Sequence, residues 1–320
     1  MRNFMAAAFA VYVAVPVAAQ DLPSLRMAAQ LTGTVNRELQ TILHRGLDTA
    51  NGFDLELMDV SGSSAGQVAF QGGEADVIVS DWIRVARQRA DGHDVQFLPY
   101  SKAVGGVMVL DDSPAQSLAD LKGEQIGIAG GPVDKSWIIL QALARKQGFD
   151  LAAETTQVFG APPLIFKAAL DGETAAAVNF WHFMAKQQVA GMRVLVSVAD
   201  AAQELGLDPN TPLLGYAFHG ETLREPPELI EGLAAASRAA KDILATDDAE
   251  WDRLRPIMNA GDDAEFAALR DGFRAGIPEP GPVDAADVAE VMAIMAELGG
   301  SELVGKATTL PEGVFAPLGY

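Results

Sequence analysis

Polar, glycine and aromatic residues follow the predicted strands of this sequence, at the points where each strand should end. The candidates for ligand contact are Thr32, Gly33, Ser63, Ser64, Ser80, Asp81, Trp82, Gly131, Asp134, Ser136, Trp137, Asn179, Trp181 and His182. In open α/β sheets the carboxyl ends of strands and the amino termini of the following helices face a ligand crevice. These residues therefore predict a cleft that binds a small molecule.

The small residues in this set have structural as well as ligand-binding interpretations. Gly33 and Gly131 let backbone N–H groups approach a ligand, but ordinary turns also use glycine. Ser64, Ser136 and Asp134 suit the N-cap positions of helices, and capping alone would explain them. Both interpretations stay open on the sequence.

Three of the four tryptophans, Trp82, Trp137 and Trp181, come just after a predicted strand. Core packing is the default role of a single tryptophan. Three at equivalent edges favour an aromatic wall, which would contribute about 0.5–2 kcal/mol per ring to the binding of a cationic group. We therefore expect these rings to line the cleft.

The carboxylates Asp81 and Asp134 lie on the same edges as the tryptophans. A carboxylate that faces a bare anion is costly once the cleft closes and the local dielectric falls. This pattern favours a small organic ligand with a flat or cationic nitrogen-bearing part, with Asp81 next to any positive charge. Thr32, Ser80 and Asn179 would donate or accept hydrogen bonds to it.

Enzyme and metal chemistry are not indicated. The sequence has no Cys, no Gly-x4-Gly-Lys-Ser/Thr phosphate loop and no His-Glu-x-x-His. His182 and His219 are interpreted as hydrogen-bonding residues and His44 and His93 as surface residues, because no pair has metal-ligand spacing. We expect neither a cofactor nor a metal.

Short β-rich runs alternate with helical stretches from Leu25 onward, which predicts an α/β fold with largely parallel sheets. Predicted strands are Leu25–Gln30, Asp54–Val60, Asp76–Val79, Val95–Tyr100, Gln125–Ala129, Thr155–Phe159, Ala175–Asn179 and Arg193–Val198. Predicted helices are Val35–Ala50, Ser64–Gly72, Trp82–Ala90, Ser136–Gln147, Pro163–Leu170, Phe183–Ala190, Pro227–Ala245, Ala249–Met258, Ala264–Gly272 and Ala285–Leu298.

One segment occurs twice without gaps. Gly73–Trp82 aligns with Gly172–Trp181, and each copy contains Gly-Glu, an apolar strand, a small polar residue and a Trp. The match predicts two lobes built on one α/β plan.

The first nineteen residues have the pattern of a secretory leader. Arg2 gives a positive start, the run Phe4–Val15 is almost wholly apolar, and small residues lead to Ala19. We expect cleavage before Gln20 and release into the periplasm. The run is too short for the roughly 20 apolar residues of a membrane-spanning helix, and a lipid anchor would need a Cys.

The chain is strongly acidic. The 23 Lys and Arg against 43 Asp and Glu give a net charge of −20. Such a surface repels nucleic acid and anionic membranes. We therefore expect no nucleic-acid partner and no membrane anchor.

Several stretches resemble a known family. They are Leu25–Gln30, Gly72–Val77, Ser117–Gly127 and Glu221–Ile230, of which the Ser-Leu-x-Asp-Leu-Lys-Gly run in the third is the most specific. The sequence resembles the periplasmic substrate-binding proteins of ABC importers, in the nitrate/sulfonate/taurine class with its thiamine-pyrimidine-precursor relatives.

The resemblance implies a two-lobed, type II-like fold whose ligand lies between the lobes. Lobe 1 would span 20–103 plus 213–320 and lobe 2 would span 104–212, with hinges at Ala103–Leu110 and Pro209–Phe218. A monomer of this kind would deliver its ligand to an ABC permease and its ATPase, and would not be an enzyme.

Three alternatives stand beside this interpretation. A receptor for a small oxyanion or sulfonate would use helix amino termini and Gly-rich turns. A thiamine-pyrimidine-synthase-like enzyme would need a cofactor-linked lysine and a reactive histidine, for which only Lys135 and His182 are available. The effector half of a LysR-type regulator is disfavoured by the leader and by the absence of a helix-turn-helix.

Overall fold

Two five-stranded sheets of the same design form the protein core in a computed structural model that describes residues 22–224 and 227–318. The predicted leader lies outside the described residues. The strands are β1 Ser24–Ala29, β2 Asp54–Asp59, β3 Val77–Asp81, β4 Val95–Ser101, β5 Gly106–Leu110, β6 Gln125–Ala129, β7 Thr156–Gly160, β8 Ala176–Asn179, β9 Met192–Ser197 and β10 Leu214–His219.

Helices connect most of these strands and cover the sheets. They are α1 Asn36–Arg45, α2 Leu47–Ala50, α3 Ser63–Gln71, α4 Trp82–Ala90, α5 Lys135–Lys146, α6 Leu151–Glu154, α7 Pro162–Leu170, α8 Trp181–Val189, α9 Val198–Leu205, α10 Gly220–Arg224, α11 Pro227–Thr246, α12 Asp248–Leu254, α13 Asp263–Ala275 and α14 Ala285–Val304. Short 3₁₀ helices lie at Leu118–Leu121 and Arg255–Ile257.

The strand order is β2-β1-β3-β10-β4 in the first sheet and β7-β6-β8-β5-β9 in the second. In each sheet four strands run parallel, and one, β10 or β5, runs antiparallel to both neighbours. That odd strand is the one the chain enters directly from the other sheet. The α/β fold with largely parallel strands is confirmed.

The duplicated segment occupies equivalent places in the two sheets. Gly73–Trp82 contains β3 and Gly172–Trp181 contains β8, and each of these strands is the third in the strand order of its sheet. Each strand is followed at once by a helix, α4 or α8, which begins at or directly after the sheet edge. We call the first sheet with the helices packed on it the first lobe, and the second sheet with its helices the second lobe.

Strand β1 is buried on both faces from Met27 to Ala29, the part of the strand that is wholly apolar. Leu25 and Met27 pack with Leu39 and Ile42 of α1 on one face, whereas Ala28 packs into the core on the other. This packing fixes α1 against the sheet and places the first turn of α1 at the carboxyl end of β1.

The chain passes between the sheets at residues 102–105 and again at 206–213. The predicted hinge segments are longer, because β5 and β10 already belong to the sheets. Helix α9, which precedes the return passage, was missed by the pattern analysis. The two passages touch each other, since Lys102 Nζ donates to Asn210 Oδ1 at 2.7 Å.

Gly105 is required at the first passage by close packing. A Cβ atom there would lie 2.0 Å from the Asn179 carbonyl oxygen, which belongs to the backbone and cannot swing aside.

We predict that Gly105→Ala lowers the free energy of unfolding by at least about 2 kcal/mol, because overpacking forces a backbone shift. Gly66→Ala is the matched control. It lies inside α3, its Cβ would make only ordinary contacts, the nearest at 3.6 Å to Val60, and alanine favours helix by about 1 kcal/mol. Urea unfolding should show opposite signs for the two variants, and equal stabilities would contradict this packing argument.

Candidate functional site

A cleft of about 740 Å³ lies between the two lobes. The first lobe contributes the turn after β1, the first turns of α1 and α3, and the end of β3. The second lobe contributes the first turns of α5, α7 and α8. The cleft is therefore built from strand carboxyl ends and helix amino termini, which is the arrangement that holds ligands in α/β proteins.

Part of the predicted site lines this cleft. The residues in this group are Thr32, Gly33, Ser63, Ser80, Asp81 and His182. Ser63 Oγ accepts a hydrogen bond from Gln30 Nε2 at 3.3 Å, which ties the turn after β1 to the start of α3.

The predicted aromatic wall is wrong. Trp82 is 0 % exposed and Trp137 is 2 % exposed, and both belong to the hydrophobic core in which α14 packs against α4 and α5. Trp181 packs against the first lobe's core and does not line the cleft. Trp82 and Trp137 lie in the first turn of a helix that packs on its own sheet, which buries both rings, whereas Trp181 packs against α13 of the other lobe.

Other predicted residues have structural roles. Asp134, not Ser136, is the N-cap of α5 and accepts from the Trp137 N–H at 3.2 Å. Ser136 is buried and faces a separate apolar pocket. Ser64 is exposed within α3, and neither it nor Gly131 lines the cleft. Capping places Asp134 and helix packing places Ser136, and none of these four residues lines the cleft.

Asn179 has a structural role next to the cleft. Its side chain is buried, and Oδ1 accepts from the Phe180 N–H at 3.0 Å while Nδ2 donates to the Pro162 carbonyl at 3.2 Å. Its amide therefore joins the starts of α7 and α8, and the prediction that it contacts the ligand is not supported.

Asp81 already has a positive partner. Its carboxylate contacts Lys135 Nζ at 3.0 Å and accepts the Arg84 N–H at 2.9 Å as the N-cap of α4. Burial alone would raise the pKa of Asp81, but Lys135 and the Arg84 N–H outweigh burial and hold the pKa below its usual value. This ion pair joins the lobes and leaves no free carboxylate for a cationic ligand.

Arg37 is the cleft residue that the sequence interpretation missed. It is the second residue of α1, lines the cleft, and is only 5 % exposed. Among the described residues its Nη1 has no hydrogen-bond partner, and no carboxylate forms an ion pair with it. Burial lowers the pKa of Arg37 to about 10, so the guanidinium is still charged at neutral pH.

The neighbouring carboxylate of Glu38 is engaged elsewhere. Glu38 is fully buried and accepts from Tyr216 Oη at 2.7 Å and Ser237 Oγ at 2.6 Å, and it forms an ion pair with Lys241. Adjacent residues on a helix point about 100° apart, so Glu38 faces the core while Arg37 faces the cleft. The Glu38 carboxylate therefore does not neutralise the charge of Arg37.

The cleft is positive although the chain is strongly acidic. Its charged lining residues are Arg37, Arg84, Lys135, Lys186 and Asp81. Lys135 is paired with Asp81, and Lys186 is paired with Glu265 at 3.2 Å on the rim. Arg37 remains as the buried charge and Arg84 as an exposed one, so the arrangement favours an anionic group.

Several helix amino termini at the cleft lack a side-chain cap. Among the described elements these are α1, α3, α7 and α8, whereas α4 and α5 are capped by Asp81 and Asp134. The helix dipole adds partial positive charge at each of these starts. The first N–H groups of α1 already donate to backbone carbonyls, and α7 begins with Pro162 and Pro163, which have no N–H, so of these four helices only α3 and α8 offer first-turn N–H donors. Both features suit an anion.

The same cleft has an apolar side. Its members are Pro162, Pro163, Phe180, Phe183, Leu214, Met258 and Leu269. Gln67 and Tyr100 add polar atoms to the wall of the cleft. A ligand with both an acidic group and an apolar part would match this lining.

A signal for these cations was present in the sequence. Arg37, Arg84 and Lys135 all lie in the first turn of a helix, where the dipole disfavours positive charge. Basic residues placed against that preference, just after strand ends, indicate an anion site.

In the parts of the chain that the structure describes, no helix has the length and apolar character needed to span a bilayer. Over the same residues, no cluster of three His, Asp or Glu side chains is placed to hold a metal ion.

Comparison with known proteins agrees with this architecture. Residues 44–250 match the family model described as NMT1/THI5 like. No curated protein matches the chain at the level of sequence.

Solved structures share the fold. The periplasmic aliphatic sulphonate binding protein SsuA from Escherichia coli superposes with a TM-score of 0.72 at 20% identity, over 92% of this chain and 97% of that one. The alkanesulfonate-binding protein SsuA from Xanthomonas axonopodis pv. citri, bound to MOPS, gives 0.66 at 18% identity, over 93% and 97%. A sulfonate-binding SsuA protein of Methylobacillus flagellatus gives 0.69 at 16%, over 93% and 92%. At these identities the likeness establishes the two-lobed periplasmic-binding-protein fold.

His182 should make the protein sensitive to acid. Burial, with the nearby charges of Arg37 and Lys186, lowers the pKa of His182 from 6.5 to about 4. Between these values the unfolded chain binds a proton that the folded chain does not, so stability falls as the pH falls from about 6.5 to about 4.

We predict that His182→Gln removes this part of the acid sensitivity. At pH 4.5 the variant should gain roughly 2 kcal/mol relative to the wild type, compared with the difference at pH 7.5. Urea unfolding of both proteins at the two pH values measures it. Parallel pH profiles would mean that His182 is not shielded from protonation.

Proposed function

Because the chain belongs to the NMT1/THI5-like family, we propose that it is a solute receptor that binds a small organic acid in the cleft between its lobes. The receptor would deliver this ligand to an ABC-type import permease. The fold supports the binding role, since a two-lobed cleft at strand ends is suited to capture a small molecule.

The observation that carries the proposal is the buried, unpaired guanidinium of Arg37. An isolated charge removed from water costs several kcal/mol unless an opposite charge and hydrogen bonds offset it. A sulfonate, carboxylate or phosphate can accept two parallel N–H bonds from arginine and supply that opposite charge. The cation of Arg37 is thus the natural partner of the ligand's acidic group.

The size of the cleft favours an organic molecule over a bare oxyanion. About 740 Å³ is within the roughly 300–1,000 Å³ of typical small-molecule sites. The apolar side formed by residues such as Phe180, Phe183 and Met258 would contact a hydrocarbon part. Sulfonate is the acidic group named for several structural relatives, so it is the first to test.

Capture would involve rotation of the lobes about the passages at 102–105 and 206–213. Two short connections allow such a rotation without repacking either core. Together with the predicted leader, this supports a periplasmic receptor that presents its loaded form to the permease.

The synthase-like alternative has less support. It requires a lysine free to react, but Lys135 contacts Asp81 at 3.0 Å, and the other cleft lysine, Lys186, pairs with Glu265. A receptor also leaves its ligand chemically unchanged, so mass spectrometry of recovered ligand separates the two functions.

We predict that Arg37→Gln weakens binding of hexanesulfonate by roughly 30- to 1,000-fold in calorimetry, because the acidic group loses its buried charge partner. Arg145→Gln is the control, since it removes the same charge from an exposed position on α5 whose nearest carboxylate is 3.8 Å away. It should leave the affinity within about twofold.

Two results would count against the proposed ligand class. One is equal affinity in the wild type and Arg37→Gln. The other is tighter wild-type binding of hexylamine than of hexanesulfonate, which would restore a cationic ligand.

A further inference from the structure

Trp181 lies beside Arg37 although it comes from the other lobe. The guanidinium carbon of Arg37, on α1, is 5.5 Å from the centroid of the Trp181 ring, at the start of α8. This distance is within the range of cation–π attraction, which is strongest for tryptophan and for groups shielded from water.

The ring itself is held firmly in place. It packs against Gly272 of α13, where a Cβ atom would lie 2.9 Å from two ring carbons. Leu269 and Phe273 of the same helix belong to the first lobe's core. The second-lobe tryptophan is therefore inserted against the first lobe, outside the cleft wall but next to the cleft's buried cation.

A ring differs from a carboxylate in what it leaves available. A carboxylate would neutralise Arg37 and occupy its N–H donors, which are the groups a ligand anion needs. A ring attracts the positive charge without accepting those in-plane hydrogen bonds in a bidentate manner. Arg37 can thus be oriented and still be free to bind an anion.

We propose that Trp181 is a positioning residue that holds the Arg37 guanidinium ready for the ligand's acidic group and couples anion binding to contact between the lobes. This inference rests on the proposed function. It follows from the ring's distance to Arg37, from the packing on Gly272, and from the absence of an ion pair to Arg37 among the described residues. Separation of the lobes would remove the ring from Arg37 and so disfavour the anion-bound state.

The first test compares a Trp181 variant that lacks an aromatic ring with one that keeps a ring. Trp181→Leu should raise the Kd of hexanesulfonate about tenfold, whereas Trp181→Phe should raise it only about two- to threefold. Phe149→Leu is the control, since its ring lies 4.5 Å from the Lys122 ammonium in the second lobe, away from the cleft. It should leave the Kd unchanged.

A second perturbation moves the ring without changing it. Gly272→Ala places a methyl group against Trp181, so the ring must shift. Alanine in the interior of α13 favours the helix by about 1 kcal/mol, which offsets part of the cost of displacing the ring. The variant should therefore bind hexanesulfonate several-fold more weakly while it stays folded at the temperature of the titration.

A double-mutant cycle separates positioning from general damage. In the Arg37→Gln background, Trp181→Leu should have no further effect on the Kd. An equal fold-change in both backgrounds would overturn the proposal, because the ring would then act without Arg37.

A measurement without ligand distinguishes failure of the Trp181 proposal from failure of the proposed function. The Arg37 Nε–H NMR signal should move in Trp181→Leu when the ring current is lost, and an unmoved signal overturns the contact and the proposal. If the signal differs between wild type and Trp181→Leu but the wild type binds no hexanesulfonate, the contact is supported and the proposed ligand class is refuted.

Discussion

A guanidinium that is shielded from water and forms no ion pair with a carboxylate of the described residues is the constraint on which the rest of this site depends. Arg37 occupies that position because Leu39 and Ile42 fix α1 against the first sheet. Glu38, the next residue, is bound by Tyr216 and the core lysine and so cannot neutralise it. The charge is compensated only when an anion enters the cleft.

Electrostatics in this protein act over short distances. The chain carries a net charge of −20, which would repel an anion at long range. At physiological ionic strength such repulsion is largely screened beyond about 8 Å. Inside the cleft, screening is weaker, and Arg37 with the uncapped starts of α3 and α8 dominates. Selection of the ligand therefore takes place after entry, at close contact.

The sequence predicted the architecture better than the orientation of side chains. The duplicated segments ending at Trp82 and Trp181 revealed two lobes on one plan, because strand and turn patterns are local. Those same tryptophans were assigned to the cleft wrongly, since whether a ring faces a cleft or a core depends on how its helix packs. Arg37 was missed because the lack of an ion pair between Arg37 and any described carboxylate is a property of the folded chain. Its place in the first turn of a helix was nevertheless visible, and similar cations at Arg84 and Lys135 repeat the signal.

The most direct test of this account is a crystal structure of the protein grown with hexanesulfonate. The account predicts sulfonate oxygens within hydrogen-bond distance of the Arg37 guanidinium and the hydrocarbon chain against Phe180 and Phe183. It also predicts that Lys135 still contacts Asp81. A ligand bound with its hydrocarbon end at Arg37, or with its sulfonate held by Lys135 after the Asp81 pair has broken, would contradict it.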